Sequence, residues 1–164
     1  MSQPILSQAY LRSLFDYDAE TGVFTRRVNS GKARAGTRAG TDDGMGYLQI
    51  TLAKKKYRLH RLAFMYVNGR WPEHHVDHIN RNRADNRWCN LREATQGQNN
   101  QNMGMSASNT SGFVGVSWVP NICKWEARIS INYKPKMLGY FSTPQEASAA
   151  YLAAKAVYHP GYTP

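Results

Sequence analysis

The stretch VDHINRNRADNRWCNLREATQGQNN, residues 76–100, decides the fold. It places the adjacent pair Asp77 and His78 ahead of Asn80, Asn82, Asn86, Asn90, Asn99 and Asn100, more polar ligating side chains than a surface loop ordinarily needs. His75, Val76 and Ile79 form a short apolar pattern around the Asp–His pair. Ile79 to Asn82 carries a turn signal, Asn90 and Leu91 begin a second apolar pattern, and QGQNNQN opens a helix. The predicted order is strand, long loop, strand, helix. Neighbours in a regular strand point to opposite faces, so Asp77 and His78 can serve one group only where the strand ends or twists.

These residue types suit one kind of chemistry. Hydrolysis of a phosphodiester needs a base to take a proton from water and a hard cation to stabilise charge on the phosphate. A neutral His suits the first task near neutral pH. Carboxylate and amide oxygens suit the second, because Mg²⁺ takes a few oxygen ligands and keeps its other positions for water and phosphate.

Outward from this stretch, charge points to a polyanionic partner. The 164-residue chain carries a formal net charge of +10. Between Arg26 and Arg61 stand Arg26, Arg27, Lys32, Arg34, Arg38, Lys54, Lys55, Lys56, Arg58 and Arg61 against only Asp42 and Asp43. Neutralising phosphates with such residues releases counterions, whereas a solvated face kept for solubility is the alternative. A composition of 41% hydrophobic residues supports a real core, and the length suits one domain or two small ones. No apolar run reaches the length of a membrane span, and the N-terminus lacks a signal-peptide layout, so an intracellular, non-secreted protein with no membrane partner is expected. Cys89 and Cys123 are too isolated for a zinc site or a disulfide framework and are expected to be free thiols.

The predicted fold class is α+β. Ile5, Leu6, Ala9, Leu11, Leu14 and Phe15 give an opening helix, VFTRRV a strand, GYLQITL and KKYRLHR a hairpin, and RLAFMYVNG a helix stopped by Gly69 and Pro72. SGKARAGTRAGTDDGMG, residues 30–46, reads as a mobile loop placed to lie on phosphates. A polar connector is expected at 104–112, dividing a first domain of residues 1–103 from a second of residues 113–164. In the second, GFVGVSWV, KWEARISI and KMLGYF read as three strands. A closing helix follows, marked by Thr143 as N-cap, Pro144 and Glu146.

The spacing of DH, an Asn twelve residues after the His and another twenty-one after it, resembles the HNH (ββα-metal) endonuclease motif. It is nearest the phage- and intron-encoded homing type, and covers about residues 57–103, the motif itself lying in 74–102. The resemblance implies a DNA endonuclease acting on double-stranded DNA, phage-encoded and at work in the cytoplasm of a bacterial host. It implies His78 as general base, Asp77 and Asn99 as metal ligands, and Asn90 as the loop residue that orients His78. Asn100 replaces Asn99 if the register slips by one. One divalent ion is implied, Mg²⁺ or Mn²⁺ rather than zinc, because an amide oxygen is a hard ligand. His60, in RLHRLA, matches a family position and is read as structural. No obligatory protein partner is evident.

Residues 110–159, with GFVGVSWV, KWEARISI and LGYFSTPQEA in order, resemble the plant ethylene-response-factor (Apetala-type) DNA-binding domain. In that family a three-stranded sheet enters the major groove with its other face resting on a helix. Alternation turns Trp125, Ala127, Ile129 and Ile131 toward the helix and Lys124, Glu126, Arg128, Ser130 and Asn132 outward, with Ser117 on the first strand and Lys134 and Lys136 near the third. The DNA-contact candidates are Arg34, Arg38, Lys54, Lys55, Lys56, Ser117, Lys124, Arg128, Ser130, Lys134 and Lys136. Val114, Ser117, Val119 and Met137 depart from the plant pattern, so plant target specificity does not transfer. The expected function is a metal-dependent homing-type DNA endonuclease with a C-terminal site-reading module; the rival is a DNA-binding regulator with an inactive nuclease domain.

Overall fold

The computed structural model describes residues 6–159. Ile5, the first apolar residue assigned to the opening helix, lies outside them. The chain divides into two compact units, Met1–Ala94 and Thr95–Pro164, and mixes helices with strands. The connector expected at 104–112 falls inside the second unit. Among the described residues no helix is long and apolar enough to cross a membrane.

In the first unit α1 (Gln8–Leu14) is capped by Ser7, whose hydroxyl accepts from the Tyr10 amide. Phe15, expected at the helix end, instead starts β1 (Phe15–Tyr17). Pairing with Arg26 extends its backbone and leaves its ring buried, a tertiary gain that overrides local helical spacing. β1, β2 (Phe24–Arg26) and β3 (Arg38–Ala39) form one sheet. A second sheet contains β4 (Thr41–Asp42), β5 (Leu48–Leu52) and β6 (Lys55–Arg58).

The reading of residues 30–46 as a mobile loop is therefore corrected. Those residues contain β3 and β4, and Ala39 is fully buried against the core. A small side chain there escaped an apolar pattern search. α2 (Leu59–Asn68) supplies Leu59, Leu62, Ala63, Phe64 and Met65 to the same core, which also buries Leu11 and Phe24. Each large apolar side chain so buried contributes about 1.5–3 kcal/mol. Gly69 ends α2 in the left-handed region at φ 72°, donating its amide to Met65 O. The unit closes with the hairpin of β7 (His75–His78) and β8 (Leu91–Ala94).

The second unit begins with α3 (Gln96–Gln101), whose Thr95 and Gln98 form a reciprocal capping box. Then come β9 (Val116–Val119), β10 (Lys124–Ile131) and β11 (Lys134–Phe141), with β10 central, and α4 (Pro144–Tyr158). Thr143 and Glu146 make a second capping box. Val116, Ala127 and Ala147 form a buried cluster joining sheet and helix. Gly115 sits at φ 73° because a Cβ there would fall on the Tyr151 ring.

Two side-chain placements differ from simple alternation. Glu126, expected outward, is paired across the sheet with Ser117 and Tyr140 and is only 7% exposed, because Arg128 folds over it. Two residues apart on β10, Glu126 and Arg128 share one face, and the register shift beside them is taken up on β11, where Leu138 is skipped. Lys136, paired with the inward Ile129, turns toward α4 and donates to the Tyr158 hydroxyl at 3.2 Å.

Candidate active site

The β7–β8 register sets the site. Asp77 pairs with Arg92 and His78 with Leu91, and cross-strand partners share a face, so Asp77 and His78 project to opposite sides of the hairpin. On one side the Asp77 Oδ2 accepts from Arg92 Nη2 at 2.9 Å and Nε at 3.1 Å. On the other, the His78 ring meets His60 of α2 edge to face, centroids 4.9 Å apart, and lies 6.0 Å from Tyr47.

Asn86 orients His78. Its Nδ2 donates to Ala84 O at 3.3 Å, which turns Oδ1 to His78 Nε2, also at 3.3 Å. An oxygen there calls for a proton on Nε2, so the neutral ring carries its basic lone pair on Nδ1. Burial holds the His78 imidazole below the ordinary histidine range, opposed by the Asn86 hydrogen bond.

The loop between the strands explains most of its asparagines. Asn90 clasps it from within: Oδ1 accepts from the Asn80 amide at 2.9 Å and Nδ2 donates to Asp85 O at 2.8 Å. Asn80 and Asn82 accept from the amides two residues on, the usual asparagine turn bond. The Asp85 carboxylate accepts from Asn80 Nδ2 and the Arg87 guanidinium, and chiefly the latter lowers its carboxyl to about 2. From outside, the loop is tied by Tyr17 Oη donating to Asn86 O at 2.7 Å, Trp88 N to Ala19 O at 2.9 Å, and Arg83 Nη1 to Met45 O at 2.9 Å.

Asn99 and Asn100 lie on α3, in the second unit. Asn99 is half-buried and its amide donates to Thr95 O, while the exposed Asn100 accepts from Gln96 Nε2 at 2.8 Å. Of the DNA-contact candidates, Arg34, Arg38, Lys54, Lys55 and Lys56 are exposed on the first unit. On the second, Ser117, Arg128, Ser130, Lys134 and Lys136 are exposed and Lys124 is half-buried, donating to Ser142 Oγ. Arg128 is engaged by Glu126, at 2.6 Å from Nη2. Cys89 and Cys123 are free and exposed.

Sequence alone assigns no individual role to Tyr47, Asn86 or Arg92. Tyr47 and Asn86 sit in turns, where side-chain direction follows no period, and Arg92 becomes legible only once strand register is known.

His60, read as structural, is buried against His78 and Tyr47. Burial first, then the neighbouring His78, pushes its imidazole down to about 3 from 6.5. Between those values the unfolded chain binds a proton that the folded chain refuses, so stability present above pH 6.5 is lost as pH falls, by about 1.4 kcal/mol per pH unit at most. His60→Gln should flatten this decline in urea denaturation between pH 6.5 and about pH 4. Parallel slopes for the two proteins would assign the acid loss to other groups.

Comparison with known proteins covers the hairpin. Residues 57–101 match a family described as HNH endonuclease. Over 81 residues the chain is 33% identical to Protein 3.8 of Escherichia phage T7, an alignment spanning 49% of this chain and 67% of that protein. No solved structure matches.

Proposed function

Because the chain belongs to the family of Protein 3.8 of Escherichia phage T7 and carries an HNH endonuclease domain at residues 57–101, we propose that it is a homing-type, divalent-metal-dependent endonuclease that hydrolyses double-stranded DNA. The observation that carries this reading is His78: buried, kept neutral by burial, and fixed in one tautomer by Asn86. A neutral imidazole of fixed orientation suits a general base.

In this reading His78 Nδ1 accepts a proton from the attacking water. Asn86 retains the opposite ring nitrogen, so the ring need not reorient as it becomes charged. His60 and Tyr47 keep water from its flanks, and Asn90 holds the loop that carries Asn86. In this reading β7, β8 and α3 would be the three elements of the family's ββα arrangement.

The donor chemistry fits Mg²⁺ or Mn²⁺. Among the described residues no three His, Cys, Asp or Glu side chains converge on a point. One carboxylate and one amide oxygen are the sparse hard set that leaves coordination positions for water and phosphate. Asp77 and Asn99 would hold the ion, and when bound it would offset charge developing on the scissile phosphate; because Asp77 and His78 face opposite sides of β7, both would reach that phosphate only around the strand end at His78. Asp77→Ala and Asn99→Ala should each shift the Mg²⁺ titration of cleavage to higher concentration as well as slow the reaction. Titrations that overlay wild type would remove both from the ligand set.

One observation favours a second reading, a DNA-binding regulator with an inactive nuclease domain: the Asp77 carboxylate is already paired with Arg92. Incubation with duplex DNA, with and without Mg²⁺, separates the two, since a regulator binds without cutting. For the second unit we assign site recognition to the face of β9, β10 and β11 that bears Ser117, Arg128 and Ser130, on its likeness to the ethylene-response-factor domain. Arg34, Arg38 and the Lys54–Lys56 run are assigned phosphate contacts.

A further inference from the structure

A cavity of the first unit lies along the edge strand β6, outside the hairpin. It is about 580 Å³, within the range of small-ligand sites, and Asp43, Gln49, Lys55, Lys56, Tyr57, Arg58, Arg61 and Trp71 line it. Its walls are of two kinds. Tyr57 and Trp71 stack at 5.8 Å and 18° between planes, a half-exposed aromatic wall. Four cations surround that wall against the single carboxylate of Asp43.

Phosphate alone would account for the cations and leave the aromatic wall unused. A hydrophobic ligand would account for the wall and leave the cations unpaired. A nucleotide uses both, because a base has a π-face and its phosphates are anionic. Gln49 adds a polar group that can meet a base edge, while the Asp43 carboxylate is taken up by Arg58 and by the Met45 and Tyr47 amides. Arg58 is prefixed for the purpose: its guanidinium bonds Asp43 Oδ2 at 3.1 Å and lies over the Tyr47 ring at 4.0 Å.

We infer that this cavity takes one unstacked base of a DNA strand against Tyr57 and Trp71, with the adjoining phosphates on Lys55, Lys56 and Arg61. The inference deepens the endonuclease reading and rests on it for the choice of DNA. Arg58 and His78 both contact the Tyr47 ring, the guanidinium at 4.0 Å and the imidazole centroid at 6.0 Å. The held base thus lies about one to three nucleotides from the phosphate served by His78, given an axial advance of about 3.4 Å per nucleotide. Withdrawing a base from the duplex there would bend the strand and expose the phosphate to be cut.

The test compares binding of the full chain, in EDTA, to a short labelled oligothymidylate and to an equally long abasic phosphodiester strand. Wild type should favour the thymidylate by about tenfold or more. Tyr57→Leu and Trp71→Leu should bring the ratio near one while binding of the abasic strand persists. Trp71→Phe should keep the preference. Lys56→Gln should weaken both strands alike. Thermal melting reports whether each variant folds.

A readout that needs no variant is photocrosslinking of a strand carrying 5-iododeoxyuridine, with the adduct mapped by mass spectrometry. Adducts on Tyr57 or Trp71 support the assignment. A wild-type ratio of one, or adducts confined to aromatic residues elsewhere, overturns it. Failure of Mg²⁺-dependent cleavage with the base preference intact would instead overturn the endonuclease reading and leave the cavity's assignment to DNA binding.

Discussion

His78→Ala is expected to lower DNA cleavage by about 10²–10⁴-fold while leaving DNA affinity nearly unchanged. The ring is the base in the proposed reaction and does not clamp a phosphate, so its loss falls on the chemical step. Because His78 is 4% exposed and packs on His60, alanine also leaves a cavity and an unpaired Asn86 carbonyl. His78→Gln therefore belongs beside it: glutamine keeps polar volume near Asn86 but has no nitrogen basic enough to take the proton. Single-turnover cleavage at saturating Mg²⁺, binding in EDTA and a melting curve give the three readouts. Wild-type cleavage by a folded His78→Gln protein would dismiss His78 as the base.

The run of asparagines was legible as chemistry but not in its division of labour. Sequence alone made six of them candidate ligating side chains, and spacing nominated Asn90, Asn99 and Asn100. Asn80 and Asn82 accept from turn amides, Asn90 clasps the loop, and Asn86, passed over, reaches His78. Asparagine bonds its own backbone as readily as it binds an ion, and only the fold separates the two uses.

Helices and hairpins with a strong apolar period were readable for the opposite reason. Leu62 and Ala63 mark α2, and Ile50 with Tyr57 the hairpin of β5 and β6, although Leu59 and His60, read into the hairpin's second strand, instead open α2. Where elements shrink to two residues, as in β3 and β4, period carries no information and pairing decides. The Arg128 placement shows a further limit. Alternation put it on the exposed face, and it is exposed, yet its guanidinium is held by Glu126, its neighbour two residues back on the same face. Base readout by Arg128 would require exchanging that carboxylate for a base edge.

Gly22→Ala is expected to destabilise the first unit by about 2–4 kcal/mol and to depress cleavage, although no polar group of the site is touched. Gly22 stands at φ 72° in the turn closed by its amide on Asp18 O, a conformation that carries a penalty for any L side chain. The tighter constraint is spatial: a Cβ would fall on Asn86 C and Arg87 N, backbone atoms of the loop between β7 and β8. Neither backbone can yield cheaply. The turn is braced by Asp18, whose carboxylate accepts from Thr21 Oγ1 at 2.8 Å and the Glu20 amide at 2.9 Å, and the loop by the Tyr17 and Trp88 bonds already described. If the loop moves instead of the turn, Asn86 moves with it, and Asn86 holds the His78 tautomer. The measurements are thermal denaturation and single-turnover cleavage well below the midpoint, with NMR of the His78 ring nitrogens to follow the tautomer. A variant that melts and cuts like wild type would mean that the turn and the loop do not meet as closely as Gly22 requires, and that the orientation of His78 does not depend on the placement of Asn86.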